Sequence, residues 1–254
     1  MTNSDQCLRA TPILDYNAPE IAALIEQRGW MALPPYDRIG AVYDYVRNEI
    51  MFGYNQSDSL RATQVLKDGY GQCNTKATLL LALLRGVGVP CRLHGFKIHK
   101  ELQRGVVPEL VYPLAPPEIL HSWVEVETQG TWVKLEGFIL DQGFLHVLQK
   151  QFSSSKSLCG FGAGTDNLHA PPVAWNGQDT FIQKTGITQD LGLFDDPDSF
   201  YDQHRQAFGG IREILYRHGI RHWMNARVRA IREGRMHAGA LRLNHAHDAH
   251  KQPD

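Results

Sequence analysis

The sequence predicts a mixed fold in which helices come first and strands follow. Three observations predict it. Apolar residues recur at helical spacing up to about residue 86, and alternation replaces that spacing from residue 91. Two alternating runs, 121–127 and 131–136, then flank Thr128-Gln129-Gly130, which is the clearest hairpin signal in the chain.

Each element has a local reason. Residues 18–29 read as a short helix with Pro19 in the first turn, where a missing N–H costs nothing. Residues 36–51 form a second, because Ile39, Val42, Tyr43, Val46 and Ile50 recur on one face. Residues 60–67 give a shorter helix closed by Asp68-Gly69. The next helix opens at Cys73 and stops near Gly86-Val87-Gly88, ahead of Pro90. Its apolar residues lie all round, which places it at the domain centre. Residues 91–98 alternate as one strand. A connector over 99–120 carries Pro108, Pro113, Pro116 and Pro117, and so long a loop inside a compact domain is commonly functional. In the hairpin, Val124 and Val126 alternate with Trp123 and Glu125, the pattern of a half-buried strand.

Beyond residue 150 the signal weakens. Residues 153–157 are a polar loop, 159–166 are rich in glycine, and Pro171-Pro172 and Asn176-Gly177 mark turns. Residues 200–218 look helical with an interruption at Gly209-Gly210. Ile220, Trp223, Met224, Arg227, Val228 and Ile231 then fall on one helical face. The expected organisation is a core over 1–150, an extension over 151–233 packed on the same domain, and a flexible tail over 234–254.

Composition sets outer limits. The 254 residues are 43% apolar and 21% charged, which suits an ordered globular chain with a sizeable core. A formal net charge of −1 argues against general attraction to nucleic acid or anionic membrane. The longest apolar run, 79–84, is too short to span a bilayer, and no basic-then-apolar leader opens the chain. The expected compartment is the cytoplasm. The four cysteines (Cys7, Cys73, Cys91, Cys159) are scattered without a C-x-x-C pair, so free thiols are expected rather than disulfides or a metal site.

Cys73 stands apart from the other three. It follows Gly69-Tyr70-Gly71-Gln72 and opens the apolar helix, so its thiol meets the positive end of the helix dipole and unpaired N–H groups. That position favours a reactive thiolate and offers donors to an oxyanion forming beside the sulfur. Acyl transfer also needs a base and a group to orient it. His121 supplies the base if its strand packs against the start of the Cys73 helix. Glu136, roughly opposite His121 across the hairpin, can accept the other imidazole N–H. The plain alternatives are a buried structural cysteine for Cys73, a strand-edge histidine bonded to backbone for His121 and a hairpin surface acid for Glu136, and Trp123 and Trp132 read as sheet-packing aromatics.

The order of these motifs resembles the transglutaminase-like superfamily over about residues 36–140. Gly71 to Arg92 is similar to its G-x-C helix with a Leu-Leu-Arg ending. His121-Ser122-Trp123-Val124-Glu125-Val126 and Trp132-Val133-Lys134-Leu135-Glu136 are similar to its His and acid strands. The resemblance implies a papain-like α+β fold, with the Cys-bearing helix on an antiparallel sheet and extra helices at the C-terminus. It also implies acyl chemistry on amides with no metal or organic cofactor. Two departures stand out: Glu136 occupies a position usually held by Asp, with Asp141 as an alternative, and a Pro-rich insertion separates Cys73 from His121.

The expected function is a cysteine-dependent acyl enzyme with catalytic residues Cys73, His121 and Glu136. It hydrolyses a peptide, protein or small amide substrate through a thioester. Acyl transfer to an amine is the nearest alternative, and a non-catalytic binding module is the alternative of another class. Three other features read as inert. The Gly160–Gly164 run lacks the residues of a phosphate loop, which leaves a flexible loop near the site. His245, His247 and His250 are a weak metal signal in a polar tail, and Arg217, Arg221, Arg227, Arg229, Arg232, Arg235 and Arg242 read as a solvated helix face.

Overall fold

The computed structural model describes residues 6–204 and 210–235. The tail from residue 236, with Arg242, His245, His247 and His250, lies outside the described residues, as does Gly209. Helices α1 (Pro19–Arg28), α2 (Pro35–Asn48) and α3 (Ala62–Asp68) precede a central helix, α4 (Cys73–Gly86). Two short strands, β1 (Met51–Phe52) and β2 (Tyr70–Gly71), pair in parallel and bring the chain to the start of α4. Every residue of α4 from Cys73 to Arg85 is buried, as its all-round apolar pattern requires.

The main sheet has four antiparallel strands. Strand β3 (Cys91–His99) lies between β4 (Glu118–Thr128) and β8 (Ile187–Phe194), and β5 (Thr131–Leu135) forms the far edge. Gln129 and Gly130 take φ of 51° and 76° in the β4–β5 turn, the paired positive angles that suit a two-residue hairpin loop. Strand β8 closes the sheet from a stretch with no visible strand pattern. Its residues are mixed in exposure, with only Phe194 buried, so no alternation marks it in sequence.

The hydrophobic core lies between α4 and one sheet face. Leu79 to Leu84 meet Leu93, Val124, Val126, Val133 and Leu135 there. The other face is also covered. His94, Phe96, Trp123 and Phe181 form a ring cluster, with Phe96 and Trp123 centroids 4.0 Å apart. Strand β4 is therefore buried on both sides from Leu120 to Val126, not half-buried as its alternation predicts. Trp123 alternates with valine because it packs against other aromatics, not because it meets water.

The remaining elements wrap this centre. Helix α5 (Gln142–Gln151) follows β5, and β6 (Leu158–Gly160) and β7 (Ala163–Thr165) make a tight hairpin. Helices α6 (Pro197–Gln203), α7 (Gly210–Leu215) and α8 (Arg221–Arg232) follow, with a π-helical turn over Tyr216–Ile220 between the last two. Met224, Val228 and Ile231 bury one side of α8, but Trp223 is exposed and does not share that face. Three of the arginines read as solvated tether this helix instead. Arg227 donates to the Gly105 carbonyl, Arg232 pairs with Asp141, and Arg221 reaches the Tyr70 hydroxyl. Among the described residues no helix is long and apolar enough to cross a membrane.

Candidate active site

The start of α4 is fixed by a polar lattice. Gln72 is the N-cap and forms a capping box with Thr75, which satisfies donors that a helix start leaves open. The Gln72 Oε1 accepts from the Asn55 amide at 2.9 Å, and Thr75 donates to Asn55 Oδ1 at 2.6 Å. Asn55 Nδ2 then donates to Asp68 and to the Tyr70 carbonyl. Gly71 is required here because a Cβ would sit 2.7 Å from Thr75 Oγ1 and 2.9 Å from Lys76 Cγ. Cys73 follows as the first helical residue, 8% exposed, with an N–H that no carbonyl inside α4 can reach.

Asn74 joins the helix to the strand. Its Nδ2 donates to the Leu120 carbonyl at 3.0 Å, and its Oδ1 accepts from Ser122 Oγ at 2.9 Å. These two bonds flank His121, so one side chain sets the position of the strand histidine relative to the helix cysteine. His121 is fully buried. Its Nε2 lies 2.7 Å from Glu136 Oε1, and its Nδ1 is buried without a hydrogen bond of its own. Burial disfavours the charged ring, but the charge on the Cys73 sulfur and the Glu136 carboxylate outweigh it and raise the His121 pKa.

Glu136 is one residue past β5 and is also fully buried. The ladder sets Val124 opposite Leu135, so Glu136 falls opposite Trp123 and diagonal to His121, not directly across from it. The glutamate side chain spans that diagonal to reach His121. The second oxygen, Oε2, accepts from the Ile182 and Gln183 amides, both at 2.8 Å. Thr180 pins the backbone beneath, its Oγ1 accepting from the Glu136 and Gly137 amides. Gly137 cannot be larger, because a Cβ would meet the Val173 backbone at 2.7 Å. Asp141, the alternative acid, is engaged elsewhere. Its Oδ1 caps α5 through the Phe144 amide, and its Oδ2 takes the Phe52 amide and Arg232.

Cys73 opens on a cavity of about 850 Å³. The Pro-rich connector supplies an apolar wall with Leu102, Val107 and Leu114, and the C-terminal helices supply Tyr201, Tyr216 and Met224. Tyr54, Tyr201 and Tyr216 are all held well above the usual phenol range, chiefly by burial and in part by the Cys73 charge. Asp58 also faces the cavity and accepts from Gln72 Nε2 at 2.9 Å. Burial raises its carboxyl, while the Gln72 and Asn74 side chains pull it back down. Sequence reasoning missed Tyr54, Asp58 and Asn74. The only signal for them is proximity in the chain to β1 and to Cys73.

The glycine-rich segment borders the same cavity through Gly162, but it is not a flexible loop. It is the β6–β7 hairpin, with Phe161 and Gly162 at φ of 55° and 79° and the Phe161 ring fully buried. Its amides bond to the carbonyls of Leu102 and Arg104, and Gln183 Nε2 bonds to the Gly162 carbonyl at 2.6 Å. Of the other cysteines, Cys7 and Cys91 are buried, as packing residues should be, whereas Cys159 is exposed.

Residues 25–137 match the family model described as the transglutaminase-like superfamily. A comparison with curated proteins finds no match. Among solved structures, the chain is similar to one of a candidate cysteine protease from Cytophaga hutchinsonii, at 12% identity and a TM-score of 0.47. That likeness covers 78% of this chain and 49% of the other, so the chain spans about half the length of that structure.

Proposed function

Taking residues 25–137 as a transglutaminase-like core, we propose that the protein is a cysteine-dependent acyl enzyme that hydrolyses an amide bond through a thioester on Cys73. The observation that carries this is the buried His121, bonded to Glu136 at Nε2 and free at Nδ1 beside the thiol that starts α4. The Cys73 sulfur attacks the amide carbonyl carbon, and the thiol proton passes to His121 Nδ1. The oxyanion forms next to the open N–H of Cys73. Collapse breaks the C–N bond, and the departing amine takes the proton from His121. Water then adds to the thioester, His121 accepts its proton, and the carboxylic acid leaves as the thiol is restored. Glu136 holds the ring in one tautomer and stabilises the imidazolium between these steps.

A cavity of about 850 Å³ suits a small amide or a side chain more than an extended polypeptide. Its apolar wall and tyrosines favour an acyl group with hydrocarbon or aromatic character. The test is mass spectrometry of the intact protein after incubation with a library of peptides and small amides. A mass increase on Cys73 that decays in water supports hydrolysis, and decay only with an added amine moves the reading to acyl transfer. No adduct on Cys73 from any member, with full reactivity elsewhere, leaves a binding module instead.

A further inference from the structure

A second cleft, of about 560 Å³, is lined by Arg47 together with Gln142, Gly143, His146, Gln149 and His169. Arg47 is the unusual member. It lies near the end of α2 and is only 8% exposed, yet its guanidinium makes no hydrogen bond or ion pair among the described residues. A guanidinium whose Nε is buried without a partner is costly, and such groups are ordinarily matched by an acid or an anion. Among the described residues no acid fills the place. Asp44, one turn earlier in α2, responds to the Arg47 charge but forms no ion pair with it. Asp141 is committed to the Phe144 and Phe52 amides and to Arg232.

The rest of the cleft has the character of an anion site. Gln142 and Gly143 open the ten-residue helix α5, whose N-terminal end carries partial positive charge. Asn48 takes the Gln142 amide and Asp141 takes that of Phe144, and among the described residues the Gly143 amide has no partner. His146 and His169 add two exposed imidazoles at the rim. We infer that this cleft binds a phosphate-class oxyanion, with the Arg47 guanidinium as its principal partner and the Gly143 amide and rim histidines around it. The fork of an arginine matches the oxygen spacing of such an anion. The site shares no lining residue with the Cys73 cavity and stands whether or not Cys73 is a nucleophile.

The test is calorimetric titration of the full chain with inorganic phosphate, against chloride at matched ionic strength. The wild-type protein should bind phosphate saturably, and Arg47→Gln should lose that binding. Gln142→Glu changes only an exposed position and is compatible with the helix start, so it tests the site even if Arg47→Gln fails to fold. It should weaken phosphate binding about tenfold by adding a like charge at the rim. Absence of saturable binding in the wild-type protein overturns the inference. So does binding of equal strength in either variant.

Discussion

Residues 25–137 and residues 158–232 contribute unequally to the site. The first stretch contains every proposed reacting group: Cys73, His121 and Glu136. The second contains none, yet its Ile182 and Gln183 amides hold the Glu136 carboxylate and its Tyr201, Tyr216 and Met224 wall the cavity. The difference teaches that reactive atoms and their support are encoded differently. A nucleophile needs a particular residue type, whereas a backbone amide can come from any residue except proline.

The comparison breaks most sharply at the nucleophile. Cys73→Ala should abolish acylation by 4-nitrophenyl acetate, with a loss on the order of 10⁴-fold or more in the nitrophenolate burst. Next comes the acid. Glu136→Asp draws the carboxylate back by one methylene from His121 and from the Ile182 and Gln183 amides, so acylation should fall about 10²-fold despite the retained charge. Full activity in that variant would mean that the amides of the second stretch do not position the acid. Asn74→Ala leaves all three groups in place but removes both bonds flanking His121, and a loss of about tenfold in acylation rate is expected. Thr180→Val should have the smallest effect, about 1 kcal/mol in urea unfolding with a few-fold loss of rate.

A pH experiment sharpens the same comparison. The folded protein raises the His121 pKa, so the imidazolium contributes stability that is complete below the unfolded value of about 6.5. That stability declines as pH rises through the higher folded value. Removing either attracting partner should lower the folded value. An NMR titration of the imidazole in Cys73→Ala and in Glu136→Gln should therefore shift to lower pH in both. A shift in neither would show that the ring is not coupled to these groups.

Much of the first stretch was legible. Helix α4 is readable because a fully buried helix needs apolar residues all round, and the hairpin because Gln129-Gly130 accept positive φ. Cys73 and His121 are readable because thiol and imidazole chemistry has few substitutes. Glu136 was legible as an acid but not in its diagonal placement, which depends on a register that residue identity does not fix. Strand β8 and the 180–183 segment left no trace, since the first is only partly buried and the second holds Glu136 through the Ile182 and Gln183 amides. The β6–β7 hairpin was misread because glycine marks positive φ and flexible chain alike. Its order comes from the Phe161 and Gly162 amides bonding to the Arg104 and Leu102 carbonyls, which lie far away in sequence.

The most direct test of the Cys73–His121 unit is a competition among the four thiols. Limiting iodoacetamide is applied near pH 7, and site-resolved mass spectrometry follows each cysteine in the wild-type protein and in His121→Ala. Cys7 and Cys91 are held above the ordinary thiol range chiefly by burial, and Cys159 is the exposed one. Cys73 should react fastest despite being 8% exposed, and its advantage should vanish in His121→Ala. Fastest labelling at Cys159, or a Cys73 rate indifferent to the loss of His121, would contradict the proposed catalytic pair.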